Sequence, residues 1–317
     1  MAERVVTVFG GSGFIGRHAV KRMAARGWRV RIATRHPDDA LFLKTCGAVG
    51  QIVPVFANGR DDASVAAAVD SADAVVNLVG ILYESGRQTF DAVHHVAAAR
   101  IARAAKATGA TRMVQISAIG AAQESRSKYA RSKAAGEAAV REAFPGATIL
   151  RPSVVFGPED NFFNIFAGLT RVSFFLPLIG GGRTRFQPVY VGDVADAVMA
   201  ALESGDTAGK TYELGGPTIY TFRQLLELLL KTIDRERALV TVPWTVARLQ
   251  AAVLGLLPKP LLTRDQVAQL KVDNVVAEGA LTLADLGIEP IAAEIILPTY
   301  LHRFRAGGRI HREKAAG

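Results

Sequence analysis

The chain of 317 residues contains a single cysteine, Cys46, and only 7% of its residues are aromatic. One cysteine cannot form an intrachain disulfide or a multi-cysteine metal site, so both are excluded. No apolar run reaches the roughly 20 residues that a transmembrane helix requires. The N-terminus leads directly into a short strand-like run and not into a secretory signal, so we expect a cytoplasmic protein without a membrane span.

Half of the residues are hydrophobic and 21% are charged, which predicts a large buried core and an ordered chain. The formal net charge is +9, with basic residues concentrated near both ends of the chain. A basic balance favours anionic partners: a phosphorylated cofactor, an acidic protein face or an anionic lipid surface. The basic stretches lack interleaved aromatic residues and known DNA-binding motif spacings, so we expect no nucleic acid partner.

Strand-like and helix-like segments alternate through the first half of the chain, which is typical of a doubly wound parallel sheet. We therefore predict an α/β Rossmann core at residues 1–150. A smaller C-terminal α/β lobe is expected at residues 151–306, interleaved with that core, and a flexible basic tail at residues 307–317. The predicted strands are residues 5–9, 30–33, 52–56, 74–79, 113–117 and 148–150.

Three glycines, Gly10, Gly13 and Gly16, follow the first predicted strand and open a helix. In dinucleotide-binding turns, the first glycine permits a tight turn and the second lets the backbone approach the pyrophosphate. The third allows close helix-to-strand packing, and the helix N-terminus faces the phosphates. The pattern predicts a cofactor site formed by Gly10, Ser12, Gly13, Phe14, Ile15, Gly16 and Arg17.

The end of the second predicted strand indicates which dinucleotide binds. An acidic residue there would hydrogen-bond the ribose of NAD(H), but this chain has Arg35. A guanidinium group can pair with a 2′-phosphate through two hydrogen bonds, and Arg17 could assist it. We therefore expect NADP(H) in preference to NAD(H), which stays possible.

Tyr129 and Lys133 are four residues apart on a predicted helix and so share one face. With this pair, the chain resembles the short-chain dehydrogenase/reductase superfamily in its extended or atypical branch. The resemblance implies that Lys133 holds the nicotinamide ribose and that Tyr129 is the general acid or base. It makes Ser117 the third catalytic candidate, although Ala118 follows where many members carry a second serine.

Further candidates, some catalytic and some cofactor-binding, accompany this resemblance. Ser125 and Ser127 are alternatives to Ser117 in the following loop, and either Asp61 or Asp62 would contact adenine. The segment after the fourth strand and the end of the sixth would line the cofactor through Leu78, Val79, Gly80 and Pro152.

A narrower resemblance rests on residues 151–164, RPSVVFGPEDNFFN, and residues 187–195, QPVYVGDVA. These segments are similar to those of the nucleotide-binding accessory subunits of respiratory complex I, from mitochondria and alphaproteobacteria. The resemblance runs nearly end to end. It implies a mainly structural NADPH, complex I subunits as partners, and a peripheral position on the cytoplasmic face of the inner membrane.

Two other functions stay open. Because the Tyr129 and Lys133 pair is intact, the protein could instead be a stand-alone oxidoreductase or epimerase acting on a carbonyl or sugar-nucleotide substrate. An NADPH-sensing regulator would use the same residues.

We assign structural roles to two histidines and three phenylalanines. We predict His94 and His95 to be helix-surface residues, because no acids or cysteines are spaced to complete a metal site. Phe162, Phe163 and Phe166 are assigned to the core rather than to a substrate pocket.

Overall fold

The computed structural model describes residues 4–255, 257, 260 and 262–305, and the tail predicted at residues 307–317 lies outside them. The strands are β1 Val5–Phe9, β2 Arg29–Thr34, β3 Ile52–Phe56, β4 Ala74–Asn77, β5 Arg112–Ile116, β6 Thr148–Pro152, β7 Val155–Phe156, β8 Phe175–Ile179, β9 Arg185–Phe186, β10 Val189–Tyr190, β11 Thr211–Leu214, β12 Tyr220–Thr221 and β13 Ala238–Val242. The helices are α1 Phe14–Ala25, α2 Asp62–Val69, α3 Ala97–Ala107, α4 Lys128–Ala143, α5 Phe163–Leu169, α6 Val191–Glu203, α7 Phe222–Thr232, α8 Trp244–Leu254, α9 Arg264–Gln269 and α10 Ala293–Leu301.

Seven strands form one parallel sheet in the order β11, β6, β5, β4, β1, β2, β3. The chain proceeds outward from β1 through β2 to β3, then returns to place β4 on the other side of β1. This reversal confirms the predicted doubly wound fold. It also creates a switch point between β1 and β4, where loops leave the sheet in opposite directions and a ligand can enter.

Helices cover the sheet because its strands are apolar on both sides. The Thr7 hydroxyl on β1 donates a hydrogen bond to the Ala68 carbonyl of α2 at 2.8 Å. Helices α1 and α6 are joined by an ion pair between Arg22 and Asp196, with 2.6 Å between Nε and Oδ1. A shared apolar cluster packs α2, α3 and α4 against the sheet through Phe9, Val65, Val75, Ile101, Met113 and Val140.

The chain divides into two compact units. The first contains the chain up to Pro152 together with Val191–Leu214 and Glu278–Ile288, and the second contains Ser153–Tyr190, Gly215–Ala277 and the chain from Glu289 onward. Strand β11 of the large sheet therefore comes from a segment far beyond residue 150.

The second unit is built on an aromatic core. Phe163 is fully buried, and Phe162 and Phe166 pack in the same cluster, which confirms their interpretation as core residues. The buried Asp160 carboxylate accepts a hydrogen bond from the Tyr300 hydroxyl at 2.5 Å. This bond attaches α10 to the loop before α5. Three two-stranded pairs complete the unit: β7 with β10, β9 with β12, and β8 with β13.

Two further observations concern only the described residues. None of their helices combines the length and the apolar character that crossing a bilayer requires. Their His, Cys, Asp and Glu side chains form no group of three that could hold a metal ion.

Candidate dinucleotide-binding site

The turn after β1 adopts a conformation that favours glycine. Gly10 has a φ of +78°, in the left-handed region, and its carbonyl oxygen accepts a hydrogen bond from the Gly13 N–H at 3.0 Å. A Cβ atom at Gly16 would lie 2.2 Å from the same carbonyl oxygen. Helix α1 therefore begins directly against the turn, with the tight packing that a pyrophosphate-binding loop requires.

The N-terminus of α1 is open to an anion. Gly13 precedes the helix and has no side chain to cap its first amides. These N–H groups have no partner within a helix, and the helix dipole favours negative charge beside them. The side chains of Ser12, Phe14 and Ile15 surround this end of the helix and are half-buried. The arrangement can hold a pyrophosphate through backbone amides.

A second loop, which follows β4, lies against the glycine turn. A Cβ atom at Gly10 would be 3.1 Å from the Leu78 carbonyl carbon and 3.2 Å from the Val79 nitrogen. The Asn77 side chain accepts a hydrogen bond from the Val79 N–H at 3.1 Å and donates one to Gln115 at 2.8 Å. The buried Asn77 amide thus fixes this loop beside the turn, across the switch point.

Basic side chains lie at the start of α1 and after β2. Arg17 approaches the Ser12 and Gly13 carbonyl oxygens, each at 3.4 Å, and its guanidinium lies 5.2 Å from the centre of the Phe42 ring. Arg35 is exposed, and within the described chain its guanidinium makes no hydrogen bond or ion pair. An exposed guanidinium without a protein partner can donate hydrogen bonds to a phosphate without breaking any existing contact.

The two acidic candidates after β3 both have local partners. Asp61 caps α2, because its carboxylate accepts a hydrogen bond from the Ser64 N–H at 2.9 Å. The hydrogen bonds from Ser64 hold the pKa of Asp61 below its usual value. Asp62 pairs with Arg100, with 2.6 Å between Oδ1 and Nε. A contact between either carboxylate and adenine stays a prediction.

Helix α4 carries the Tyr129 and Lys133 pair. Lys133 is 5% exposed, and its Nζ lies 3.4 Å from the Ile116 carbonyl oxygen and 5.8 Å from the centre of the Tyr129 ring. Burial lowers the pKa of Lys133 to about 8, and the Glu137 carboxylate opposes that shift. Lys133 is therefore a buried amine beside a half-buried tyrosine, at the end of β5.

Ser117 follows β5 and is buried, yet its hydroxyl has no protein partner. Among the described residues, two buried side-chain polar atoms lack a hydrogen bond: Ser117 Oγ and Trp28 Nε1. A buried unsatisfied hydroxyl costs about 1–3 kcal/mol, so a ligand atom would stabilise it. By contrast, Ser127 caps α4 and Ser125 accepts a hydrogen bond from the Ser127 N–H at 3.2 Å.

The predicted site residues lie where parallel strands end, and these ends share one edge of the sheet. Pro152 ends β6, and its carbonyl oxygen accepts a hydrogen bond from the Ile119 N–H at 3.1 Å, which closes the edge beside β5. The glycine turn, the loop after β4, Ser117 and the Lys133 amine are thus brought together. The glycine turn leaves no room for side chains, and the Ser117 hydroxyl is buried without a hydrogen-bond partner in the protein. Both features fit a bound dinucleotide.

The structure shows that the surface assignment of His94 is wrong. His94 is 2% exposed and lies in a π-helical turn, Asp91–Val96, directly before α3. The periodicity of the sequence could have revealed this burial. His94 precedes Ala98, Ile101, Ala102 and Ala105 at helical spacing, and all four are buried. His95 is partly exposed, and its Nδ1 lies 2.9 Å from the Asp91 carboxylate.

His94 contacts both the loop after β4 and α4. Its Nε2 accepts a hydrogen bond from the Ile81 N–H at 3.0 Å, and its Nδ1 lies 2.9 Å from the Ser132 Oγ. Burial and the nearby Lys133 ammonium lower the pKa of His94 to about 3. The ring is therefore neutral at physiological pH.

Comparison with known sequences agrees with this geometry. Residues 6–215 match the NAD dependent epimerase/dehydratase family. The NADH dehydrogenase [ubiquinone] 1 alpha subcomplex subunit 9 of Arabidopsis thaliana mitochondria is 39% identical over 316 residues, which cover 96% of this chain and 79% of the relative. The corresponding mitochondrial subunit of Rattus norvegicus is 35% identical over 304 residues, covering 95% of this chain and 80% of the relative.

Comparison with solved structures supports the same fold. The dTDP-glucose 4,6-dehydratase of Streptomyces venezuelae, crystallised with NAD and TYD bound, superposes with a TM-score of 0.73 over 98% of both chains, at 20% identity. From the match over residues 6–215 and the two subunit relatives, the chain belongs to the NAD dependent epimerase/dehydratase family and, within it, to the group of the mitochondrial subunit 9 proteins.

Proposed function

We propose that this protein is an accessory subunit of respiratory complex I that holds NADP(H) mainly as a structural cofactor. The observation that carries the proposal is the near end-to-end likeness to mitochondrial complex I subunits. Its partners would then be other complex I subunits. We place it peripherally on the cytoplasmic face of the inner membrane.

The distribution of the site along the chain supports a structural cofactor. The glycine turn, the loop after β4, Ser117 and Lys133 are distant in sequence, and one dinucleotide would contact all of them. A ligand that binds only the folded state stabilises it, by about 4 kcal/mol at a thousandfold excess over Kd. When bound, the nicotinamide supplies hydride-transfer chemistry, but the stabilisation does not depend on turnover.

We propose NADP(H) over NAD(H) because of Arg35. It follows β2, where the ribose of the adenosine half is expected, and no acidic residue occupies its position. A guanidinium group attracts a 2′-phosphate, whereas NAD(H) offers it only hydroxyl groups.

We also propose an anionic lipid surface as a secondary partner, on the basis of the net charge of +9. Two arginines near the C-terminus already have partners within the second unit. Arg303 donates a hydrogen bond to Asn164 Oδ1 at 2.6 Å, and Arg305 donates one to the Thr232 carbonyl oxygen at 3.1 Å. Lipid binding would then depend on the basic residues beyond them in sequence. Flotation with vesicles of anionic and of neutral lipid tests this, because only the anionic vesicles should retain the full chain.

Deletion of the gene in the source organism tests the accessory role. We expect complex I that lacks the chain to lose activity or neighbouring subunits, with restoration by the wild-type gene. The Tyr129→Phe variant should restore it equally well if the cofactor is structural. Full activity and composition of complex I without the chain would contradict the proposal.

A stand-alone oxidoreductase or epimerase is the second candidate, and the unpaired Ser117 hydroxyl favours it. In that function, Ser117 would hydrogen-bond a substrate oxygen and Tyr129 would exchange a proton with it. Lys133 would hold the nicotinamide ribose hydroxyls beside them. Turnover of a carbonyl or sugar-nucleotide substrate that Tyr129→Phe abolishes would support this function.

A further inference from the structure

The hydrogen bonds of His94 determine which of its ring nitrogens carries the proton. The Ile81 N–H can only donate, so the His94 Nε2 that receives it carries no proton. The proton of the neutral ring is therefore on Nδ1, which donates to the Ser132 Oγ at 2.9 Å. The Ser132 hydroxyl in turn donates to the Tyr129 carbonyl oxygen at 2.7 Å. Each donor in this series has one acceptor, which fixes the tautomer of the ring.

The packing around the ring is equally specific. His94 stacks on Phe90 at 5.5 Å between ring centres and meets the Tyr129 ring edge-on at 5.2 Å. A Cβ atom at Gly136 would lie 2.0 Å from the His94 carbonyl oxygen, so the π-helical turn and α4 are in direct contact. A Cβ atom at Gly80 would lie 3.7 Å from the His94 Nε2 and 3.4 Å from the Lys133 Nζ. His94 therefore lies between the loop after β4 and the Tyr129 and Lys133 turn.

We propose that His94, as a neutral ring protonated on Nδ1, is the positioning residue that holds the backbone at Gly80 and Ile81 at a fixed spacing from Tyr129 and Lys133. This inference rests on the proposed function, because these two segments would contact the nicotinamide half of the bound dinucleotide from either side. It predicts that His94 affects that half and leaves the adenosine half, held by the glycine turn, unaffected.

The test compares two ligands in titrations with the full-length protein: NADPH, and 2′-phospho-ADP-ribose, which lacks the nicotinamide. His94→Phe keeps a flat buried ring but loses both hydrogen bonds, and we expect it to weaken NADPH binding about tenfold. Binding of 2′-phospho-ADP-ribose should not change. His94→Gln can still accept from the Ile81 N–H, so it should recover most of the affinity for NADPH. His95→Phe is the matched control and should bind both ligands as the wild type does.

Different results separate the possible failures. If His94→Phe binds NADPH as the wild type does, or loses affinity for both ligands equally, the positioning role is wrong. If His94→Phe does not fold, Ser132→Ala gives the same comparison, with the same selective loss expected. In ¹⁵N spectra of the wild type, the ring should stay neutral with its proton on Nδ1 at about pH 5, and titration near pH 6.5 would overturn the assignment. Wild-type protein that binds neither NADPH nor NADH would overturn the proposed function, and this inference with it.

Discussion

The Gly10 carbonyl oxygen occupies the space that a side chain at Gly16 would need. The distance from a Cβ atom at Gly16 would be 2.2 Å, and the other nearest atoms belong to the backbone of Gly11. Backbone atoms in a tight turn cannot move aside as a flexible side chain can. The same packing that requires glycine at position 16 sets the start of α1 beside the turn, where the pyrophosphate would bind.

Gly16→Ala should therefore disrupt both the fold and the cofactor site. Overpacking of this kind costs about 1–3 kcal/mol or more, so we expect a lower melting temperature and loss of NADPH binding. Gly168→Ala is the matched control, because it lies in α5 with no atom within 4 Å of the added Cβ. Calorimetry of both variants decides the matter: equal melting temperatures for Gly16→Ala and the wild type would contradict the packing argument.

Lys133 makes stability depend on pH. Its pKa falls from 10.5 to about 8 in the folded protein because burial disfavours the ammonium. Between these values the unfolded chain binds more protons, so the free energy of unfolding rises with pH in this window. The destabilisation by the buried charge is fully present below about pH 8.

Lys133→Met removes this group, so we expect the wild type to gain about 2 kcal/mol relative to the variant between about pH 7.5 and about pH 9.5. Urea unfolding of the cofactor-free proteins at both pH values measures the change. The exposed Lys21 provides the control variant Lys21→Met, for which no such change is expected. If the difference in unfolding free energy between the wild type and Lys133→Met is the same at both pH values, the Lys133 amine is not desolvated.

Arg35 should determine the preference for NADP(H). Arg35→Asp replaces the guanidinium by a carboxylate that repels a 2′-phosphate and can accept hydrogen bonds from ribose hydroxyls. We expect NADPH affinity to fall at least about tenfold, with NADH affinity unchanged or improved. Arg103→Asp changes an exposed arginine of α3 in the same way and controls for net charge. Equal losses for both nucleotides in Arg35→Asp would exclude 2′-phosphate recognition.

An ion pair with a buried carboxylate joins α4 to β6. The Glu137 carboxylate accepts two hydrogen bonds from Arg151, at 2.8 and 2.7 Å, and its side chain is 2% exposed. Glu137→Ala removes these charge-assisted hydrogen bonds, which are worth about 1.5–3 kcal/mol. It leaves the partly exposed Arg151 guanidinium with Glu213 at 3.4 Å as its remaining partner. We expect a loss of this size in denaturant unfolding of Glu137→Ala, and a clearly less than additive effect when Arg151→Ala is combined with it.

The exposed pair of Arg223 and Glu227 on α7 provides the contrast. Its closest atoms are 3.8 Å apart, and Glu227→Ala should cost no more than about 0.5 kcal/mol. Comparable losses for Glu137→Ala and Glu227→Ala would mean that burial does not strengthen the inner pair.

The sequence predicted the parts of the site that depend on local rules. Gly10, Gly13 and Gly16 are readable because a turn between strand and helix needs these glycines at these spacings. The register of Tyr129 and Lys133 is likewise local to one helix. In the structure, the glycines lie between β1 and α1, and Tyr129 and Lys133 lie on α4, as the sequence predicted.

The features that were missed depend on contacts between distant segments. The local periodicity indicates that His94 is buried, but its contacts depend on a π-helical turn and on the close approach of Gly136 on α4, which no local pattern shows. The return of β11 to the edge of the large sheet depends on pairing with β6, which no short pattern encodes. The unpaired state of the Ser117 hydroxyl is a property of the packed site, so the sequence could suggest the residue but not its lack of a partner.

Isolation of the protein from its native membranes tests whether it is a complex I subunit that carries NADP(H). The membranes are solubilised in mild detergent, co-purifying chains are identified by mass spectrometry, and the released nucleotide is quantified. We expect complex I subunits together with stoichiometric NADPH. A free protein that exchanges its nucleotide readily, with no complex I subunits attached, would contradict this assignment.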